Sequence, residues 1–181
     1  MFTLVVVLIP CSGVHGFLFD EDEPEAGQQP AEEQEVFSQT LADSRLTEIY
    51  LQEQALFEEL EKDALQLDEA EYQRRLRSIA TLYEGFLLDN EDYAYGYLMY
   101  GKFLRRAGQP RAANNAFMKA NMIDPNIAVA KQQIGNFLAE EGEYGLALPY
   151  YLAAIELEPD VALYRYQLGE LLHRYRRFFI D

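Results

Sequence analysis

A 34-residue echo runs through the C-terminal half of the chain and constrains its fold more than any other feature. Gly101, Gly135 and Gly169 stand 34 apart. The same interval relates Gly108 to Gly142, Ala113 to Ala147, Phe117 to Tyr151, Ala120 to Ala154 and Pro125 to Pro159. A fixed period of that length predicts a solenoid of stacked helical hairpins, an architecture that mostly binds other molecules rather than transforming them.

Each repeated residue type has a physical reason. Small residues at Gly101, Ala113 and Ala120 let two antiparallel helices approach closely, and Phe117 and Tyr151 fill the space between hairpins. Gly108 and Gly142 supply a turn that tolerates the left-handed region. Asp124-Pro125 and Glu158-Pro159 stop the second helix of each hairpin. The pattern Tyr97-x-x-Tyr100-Gly101-x-x-Leu104, Gly108, Ala113-x-x-x-Phe117-x-x-Ala120, Pro125 recurs as Ile134-Gly135-x-x-Leu138, Gly142, Ala147-x-x-x-Tyr151-x-x-Ala154, Pro159. Leu168-Gly169-x-x-Leu172 opens a third copy. These residues resemble the tetratricopeptide repeat (TPR) family over about residues 94–178, as repeats 94–127 and 128–161 and a partial repeat 162–181. The resemblance implies an all-α, right-handed superhelical solenoid of antiparallel hairpins. The large aromatic of the first helix is present as Tyr97 but replaced by Lys131 and Arg165, which predicts less burial there.

The same resemblance implies a partner-binding groove on the concave face, lined by the first helices. Its positions here are Tyr95, Leu98, Lys102 and Arg105, then Val129, Gln132, Asn136 and Glu140, then Leu163, Tyr166, Glu170 and His173. Amides, rings and mixed charges suit a protein or peptide segment whose backbone needs hydrogen-bonding partners. The places at which some family members grip a terminal carboxylate hold Leu98, Lys102, Gln133, Leu163 and Gln167. One basic residue and no Asn in that set argues against such a grip.

Upstream of the repeats the composition changes. Residues 94–181 hold ten Lys/Arg against nine Asp/Glu, whereas residues 1–93 hold five against 22. A basic face for nucleic acid is missing, so no nucleic-acid partner is expected. Residues 1–16 read as an export signal, with an apolar run from Phe2 to Ile9 broken only by Thr3, and cleavage after Gly16. That run is too short to span a bilayer, so no integral membrane span is expected. It predicts a periplasmic or secreted protein, although no Lys or Arg precedes the run; without a signal the chain is cytoplasmic. Two other readings stay open, an apolar N-terminus packed on the domain and a lipidated Cys11. Residues 17–40 read as a disordered acidic linker, centred on Asp20 to Glu35 with eight carboxylates and no basic residue. Residues 41–93 predict a helical hairpin. In its first helix Leu46, Ile49, Tyr50, Leu56, Phe57 and Leu60 recur at helical spacing behind a cap at Asp43 or Ser44. Its second helix runs from about Glu69 to Leu88.

Catalysis finds little support. Cys11 is the only cysteine and falls before the cleavage point, leaving His173 as the one histidine of the mature chain. A nucleophile–base pair would have to be built around His173, which reads as a surface histidine on an amphipathic helix; a His/Cys metal site is excluded in the mature chain, and Gly142-Glu143-Tyr144-Gly145 is no phosphate loop. The carboxylate clusters Glu58-Glu59-Glu61 and Glu140-Glu141-Glu143 read as solvated helix faces. The expectation is therefore a non-catalytic adaptor or scaffold with no cofactor and no metal, binding a protein segment in its groove. The alternative is a structural module that forms homo-oligomers through residues 168–180, where Leu168, Leu171, Leu172 and Phe178-Phe179-Ile180 lack a following helix.

Overall fold

The computed structural model describes the backbone of residues 31–63 and 68–176, and the side chains of 40–62 and 68–176. The export signal, Cys11 and the acidic run before Ala31 lie outside the described residues, as do Phe178-Phe179-Ile180. Among the described residues there are seven helices and no strand: α1 (Ala31–Asp63), α2 (Glu69–Asp89), α3 (Ala94–Arg106), α4 (Pro110–Ile123), α5 (Ala128–Glu140), α6 (Tyr144–Leu157) and α7 (Ala162–Arg176). Packing is closest within the hairpins α3/α4 and α5/α6, and each hairpin also touches the next. The expected all-α helical solenoid is what forms.

The repeat residues do the work foreseen for them. Ala113, Phe117 and Ala120 are buried between α3 and α4, as are Ala147, Tyr151 and Ala154 on α6. A Cβ added to Gly101 would stand 2.5 Å from the Phe117 ring, so only hydrogen fits there. At each hairpin turn a glycine adopts positive φ, 76° at Gly108 and 83° at Gly142. The Gly108 N–H donates to the Arg105 carbonyl (3.1 Å) and the Gln109 N–H to Leu104 (2.9 Å). Gly142 and Glu143 repeat the pair on Ala139 (3.2 Å) and Leu138 (2.8 Å). This double bond pattern satisfies carbonyls the helix end would leave open. Pro110, with no N–H to waste, opens α4. Arg165 is exposed as read, whereas Lys131 is half-buried like Tyr97, its Nζ donating to Asn121 Oδ1 (2.7 Å).

Two expectations need correction. Helix α1 begins at Ala31, inside the segment read as linker. Ala31-Glu32-Glu33-Gln34-Glu35 are strong helix formers directly after Pro30, and once attached to a long helix their charge does not prevent extension. Asp43 and Ser44 consequently sit within α1 and cap nothing. The Ser44 hydroxyl donates back to the Thr40 carbonyl (3.0 Å), and Thr47 to that of Asp43 (2.8 Å).

Helices α1 and α2 join the repeats through an aromatic cluster. Tyr83 lies 5.5 Å from Tyr100 and 5.6 Å from Phe103 between ring centroids, and Phe57 tilts against Phe103 at 6.4 Å. Inside it sits Glu53, only 2% exposed. Its carboxylate accepts from the Tyr83 hydroxyl (2.7 Å) and from Arg106 (3.0 Å), whose guanidinium lies 3.8 Å over the Phe57 ring. Three helices are thereby pinned at one carboxylate.

Candidate functional site

The first helices α3, α5 and α7 each contribute residues to one hollow of about 250 Å³, bounded by Arg105, Asn136, Glu140, Tyr151, Gln167, Glu170 and Arg174. Repetition explains the convergence, since Asn136 and Glu170 occupy the same place one period apart. Arg105 forms an ion pair with Glu140 across the α3–α5 step. The Tyr151 hydroxyl donates to Asn136 Oδ1 (2.7 Å), which aims the amide nitrogen away from the tyrosine. Burial pushes the Tyr151 phenol up to about 12, with the Glu140 anion adding to the effect and Arg105 and Arg174 opposing it. Tyr151 is therefore a fixed donor at any physiological pH. Arg174 forms no ion pair among the described residues and borders the hollow beside Tyr151 and Glu170.

A second, larger hollow of about 710 Å³ opens between α1 and α3. Leu46, Thr47, Tyr50 and Gln54 form one wall, and Tyr95, Met99 and Lys102 the other. Glu53 and Arg106 close its floor and neutralise each other. Asp43 is engaged by the Tyr93 hydroxyl. Lys102 has no ion pair among the described residues. The mouth thus combines two rings with the Lys102 ammonium.

The residues expected in the groove divide accordingly. Tyr95 and Lys102 line the larger hollow, while Arg105, Asn136, Glu140 and Glu170 line the smaller one. Tyr166, Glu170 and His173 border a shallow depression on the exposed side of α7, and Leu163 is exposed. Two assignments fail. Leu98 is 2% exposed and belongs to the core beneath the groove. Gln132 is 4% exposed and is spent holding α5 to α7, its Nε2 donating to Gln167 Oε1 at 2.9 Å. Both lie on the same stripe as Lys102 and Asn136, but at these two positions the neighbouring helix covers the side chain. Val129 is half-buried against the core.

The sequence pattern does not point to α1 or to Arg174, and it places Gln167 only among the positions of a terminal-carboxylate grip. A signal for the first existed. Glu53 falls on the apolar stripe of α1, between Ile49 and Phe57, where an acid has to find a partner.

Several findings from other proteins bear on this arrangement. The Tetratricopeptide repeat family model matches residues 128–161. No curated protein matches the sequence significantly. Among solved structures, MamA superposes with a TM-score of 0.53 at 21% identity, covering 61% of this chain and 67% of MamA. The TPR2B domain of yeast Sti1, solved as a complex with pHsp70, superposes at 0.53 with 17% identity, covering 74% of this chain and 98% of the domain. The first TPR domain of Spaghetti (RPAP3), bound to the HSP90 peptide SRMEEVD, does so at 0.53 with 13% identity, over 70% and 94%. At these identities the likeness is one of fold. This chain spans about two thirds of MamA's length.

Proposed function

We propose that this chain, a repeat protein with the fold of TPR domains, is a non-catalytic adaptor that holds a segment of another protein along its concave face. The observation that carries the reading is the hollow between α3, α5 and α7. There Asn136 of α5, Tyr151 of α6, and Gln167 and Arg174 of α7 converge on about 250 Å³ open to solvent. Amides and the Arg174 guanidinium, which forms no ion pair among the described residues, suit a peptide backbone and a carboxylate. The Sti1 and RPAP3 structures, solved with pHsp70 and with an HSP90 peptide, lend support from similar folds. In the same reading residues 1–16 direct export, and the adaptor works outside the cytoplasm.

The test is capture of partners by the wild-type chain and by a Lys102→Glu, Asn136→Ala, Arg174→Ala variant. Gln132 is left intact because removing it would loosen the α5–α7 step. A protein held by the wild type and lost by the variant supports groove binding. Equal recovery by both sinks it. Export is checked by whether residues 1–16 are missing from the chain recovered outside the cytoplasm.

A second reading, assembly of copies through α7, is favoured by one observation. Leu163, Tyr166 and Leu172 are exposed on that helix although they are apolar or aromatic. Light scattering across a range of concentrations tests it: a mass fixed at one chain throughout excludes it.

A further inference from the structure

The hollow between α1 and α3 has a polarity that the contacts at its two ends fix. The Tyr93 hydroxyl, just before α3, donates to Asp43 of α1, and Arg106 at the end of α3 donates to Glu53 of α1. The two helices therefore run parallel along the hollow. Asp43 marks one end. Lys102 stands nine residues after Tyr93, which at 1.5 Å per residue puts it about 14 Å along α3. Each end carries one charge. The neutral phenol of Tyr93 donates to Asp43 without cancelling its carboxylate, whereas Arg106 and Glu53 neutralise each other beside the Lys102 ammonium. Between the ends lie Leu46 and Met99, both buried, under the exposed rings of Tyr50 and Tyr95. The next step of the same stripe is different in kind: where α3 has Tyr95, Met99 and Lys102, α5 has Val129, Gln133 and Asn136. Helix α1 also stands outside the 34-residue period, so this hollow belongs to the junction and not to the repeat.

We propose that this hollow anchors an extended segment of a partner protein in which a basic and an acidic residue stand four apart with an aromatic residue midway between them. The proposal rests on the reading that the chain holds a segment of another protein along its concave face, and it names the chemistry of that segment. Four residues of extended chain span about 13 Å, which matches the reach from the Asp43 end to Lys102. Residues two apart on an extended chain share a face, so all three side chains enter the hollow together. The basic residue meets Asp43, the acid meets Lys102, and the ring packs against Tyr50 and Tyr95 above Met99. Thr47 and Gln54 on the α1 wall offer polar groups to the segment's backbone. A segment with two acids is repelled at Asp43 and one with two bases at Lys102, so the hollow selects the pair of opposite charges.

The probes are two synthetic peptides, acetyl-Lys-Gly-Phe-Gly-Glu-amide and the same peptide ending in Lys in place of Glu, titrated into the full chain. The reporter is the Met99 methyl resonance, identified by its loss in Met99→Leu, with Met118 and Met122 on α4 as controls. The first peptide should shift Met99 saturably and leave both controls in place. Replacing its Phe by Gly, or Tyr95→Ala in the chain, should weaken binding about fivefold. Lys102→Glu should invert the preference and bind the second peptide better than the first, which a loosened structure alone would not do. Lys102→Gln removes the charge without reversing it and should bind the two alike, so the test stays readable if Lys102→Glu fails to fold. No saturable shift at Met99, or one ranking of the peptides shared by all three chains, overturns the proposal. If that happens while a partner is still captured by the wild type and lost on Asn136→Ala with Arg174→Ala, the segment-binding reading survives without this hollow. If no partner is captured either, both fall.

Discussion

Two junctions in this molecule hold helices together by opposite means. Between α3 and α4 the contact is a bare glycine under a ring, with Gly101 against Phe117 and no polar group involved. Between α1, α2 and α3 it is a buried carboxylate, Glu53, shared by Tyr83 and Arg106 within a cluster of rings. The first joint is made by shape and repeats every 34 residues. The second is made by pairing and occurs once. A shape joint tolerates no added atom but no strict partner identity, whereas a pairing joint tolerates space but not the loss of one member.

The largest expected effect comes from emptying the shape joint. Phe117→Ala should cost about 4 kcal/mol, as for a fully buried ring whose cavity cannot collapse. Hydrogen exchange should accelerate across α3, α4 and α5 together. If it accelerates in α4 alone, the hairpins are not coupled as drawn. Next comes Glu53→Ala, which strands a buried tyrosine hydroxyl while leaving Arg106 able to reach water. About 2 kcal/mol is expected, with faster exchange in α1 and α2 and little change in α5 and α6. Glu53→Gln keeps an acceptor for Tyr83 and should cost about half as much. Equal costs for the two variants would show that charge, not the hydrogen bond, secures α1.

The three equivalent glycines then grade the shape joint itself. Gly101→Ala drives a methyl into the Phe117 ring and should destabilise by about 2 kcal/mol, in the range for overpacking. Gly135→Ala finds Tyr151 at 3.3 Å and should be close to neutral, since better helix propensity offsets a small displacement. Gly169→Ala meets nothing and should stabilise α7 by about 1 kcal/mol. Thermal melts of the three variants provide the order. A uniform response would show that the ring contacts at Gly101 and Gly135 do not set the order.

What could be read from the sequence follows the same division. The shape joint is local, so Gly101, Ala113, Phe117 and Ala120 announced it through spacing alone, and the turns at Gly108 and Gly142 came with it. The limits of α2 were also legible, because its apolar stripe and flanking acids agree. The pairing joint spans Glu53 to Arg106, and no period links positions in an irregular hairpin to those in a repeat. The groove was legible only as a stripe. Tyr95, Lys102, Arg105 and Asn136 line hollows, whereas Leu98 and Gln132 on the same stripe are buried. Whether such a position faces solvent depends on how closely the next helix approaches, which spacing does not specify. Arg174 entered the site because α7 turns its last turn toward Tyr151, a matter of tertiary angle.

The smallest effect should be common to both junctions and therefore sharpens what they share. Tyr93, beside α1, and Tyr151, in the groove, both have phenols pushed up to about 12, in each case chiefly by burial. The second cause differs, being the hydrogen bond to Asp43 for Tyr93 and the nearby Glu140 anion for Tyr151. An unfolded tyrosine ionises near pH 10. Below that pH both states keep the proton and the contribution is whole. Between about pH 10 and 12 the unfolded chain releases protons that the native chain retains, so stability must fall as pH rises through that window. Tyr93→Phe and Tyr151→Phe should each flatten the fall, measured by urea denaturation at pH 9, 10 and 11. Similar flattening would mean that burial governs both junctions despite their different chemistry. Flattening by Tyr93→Phe alone would mean that the direct carboxylate contact dominates, and that the shape-made region carries almost no linkage to pH.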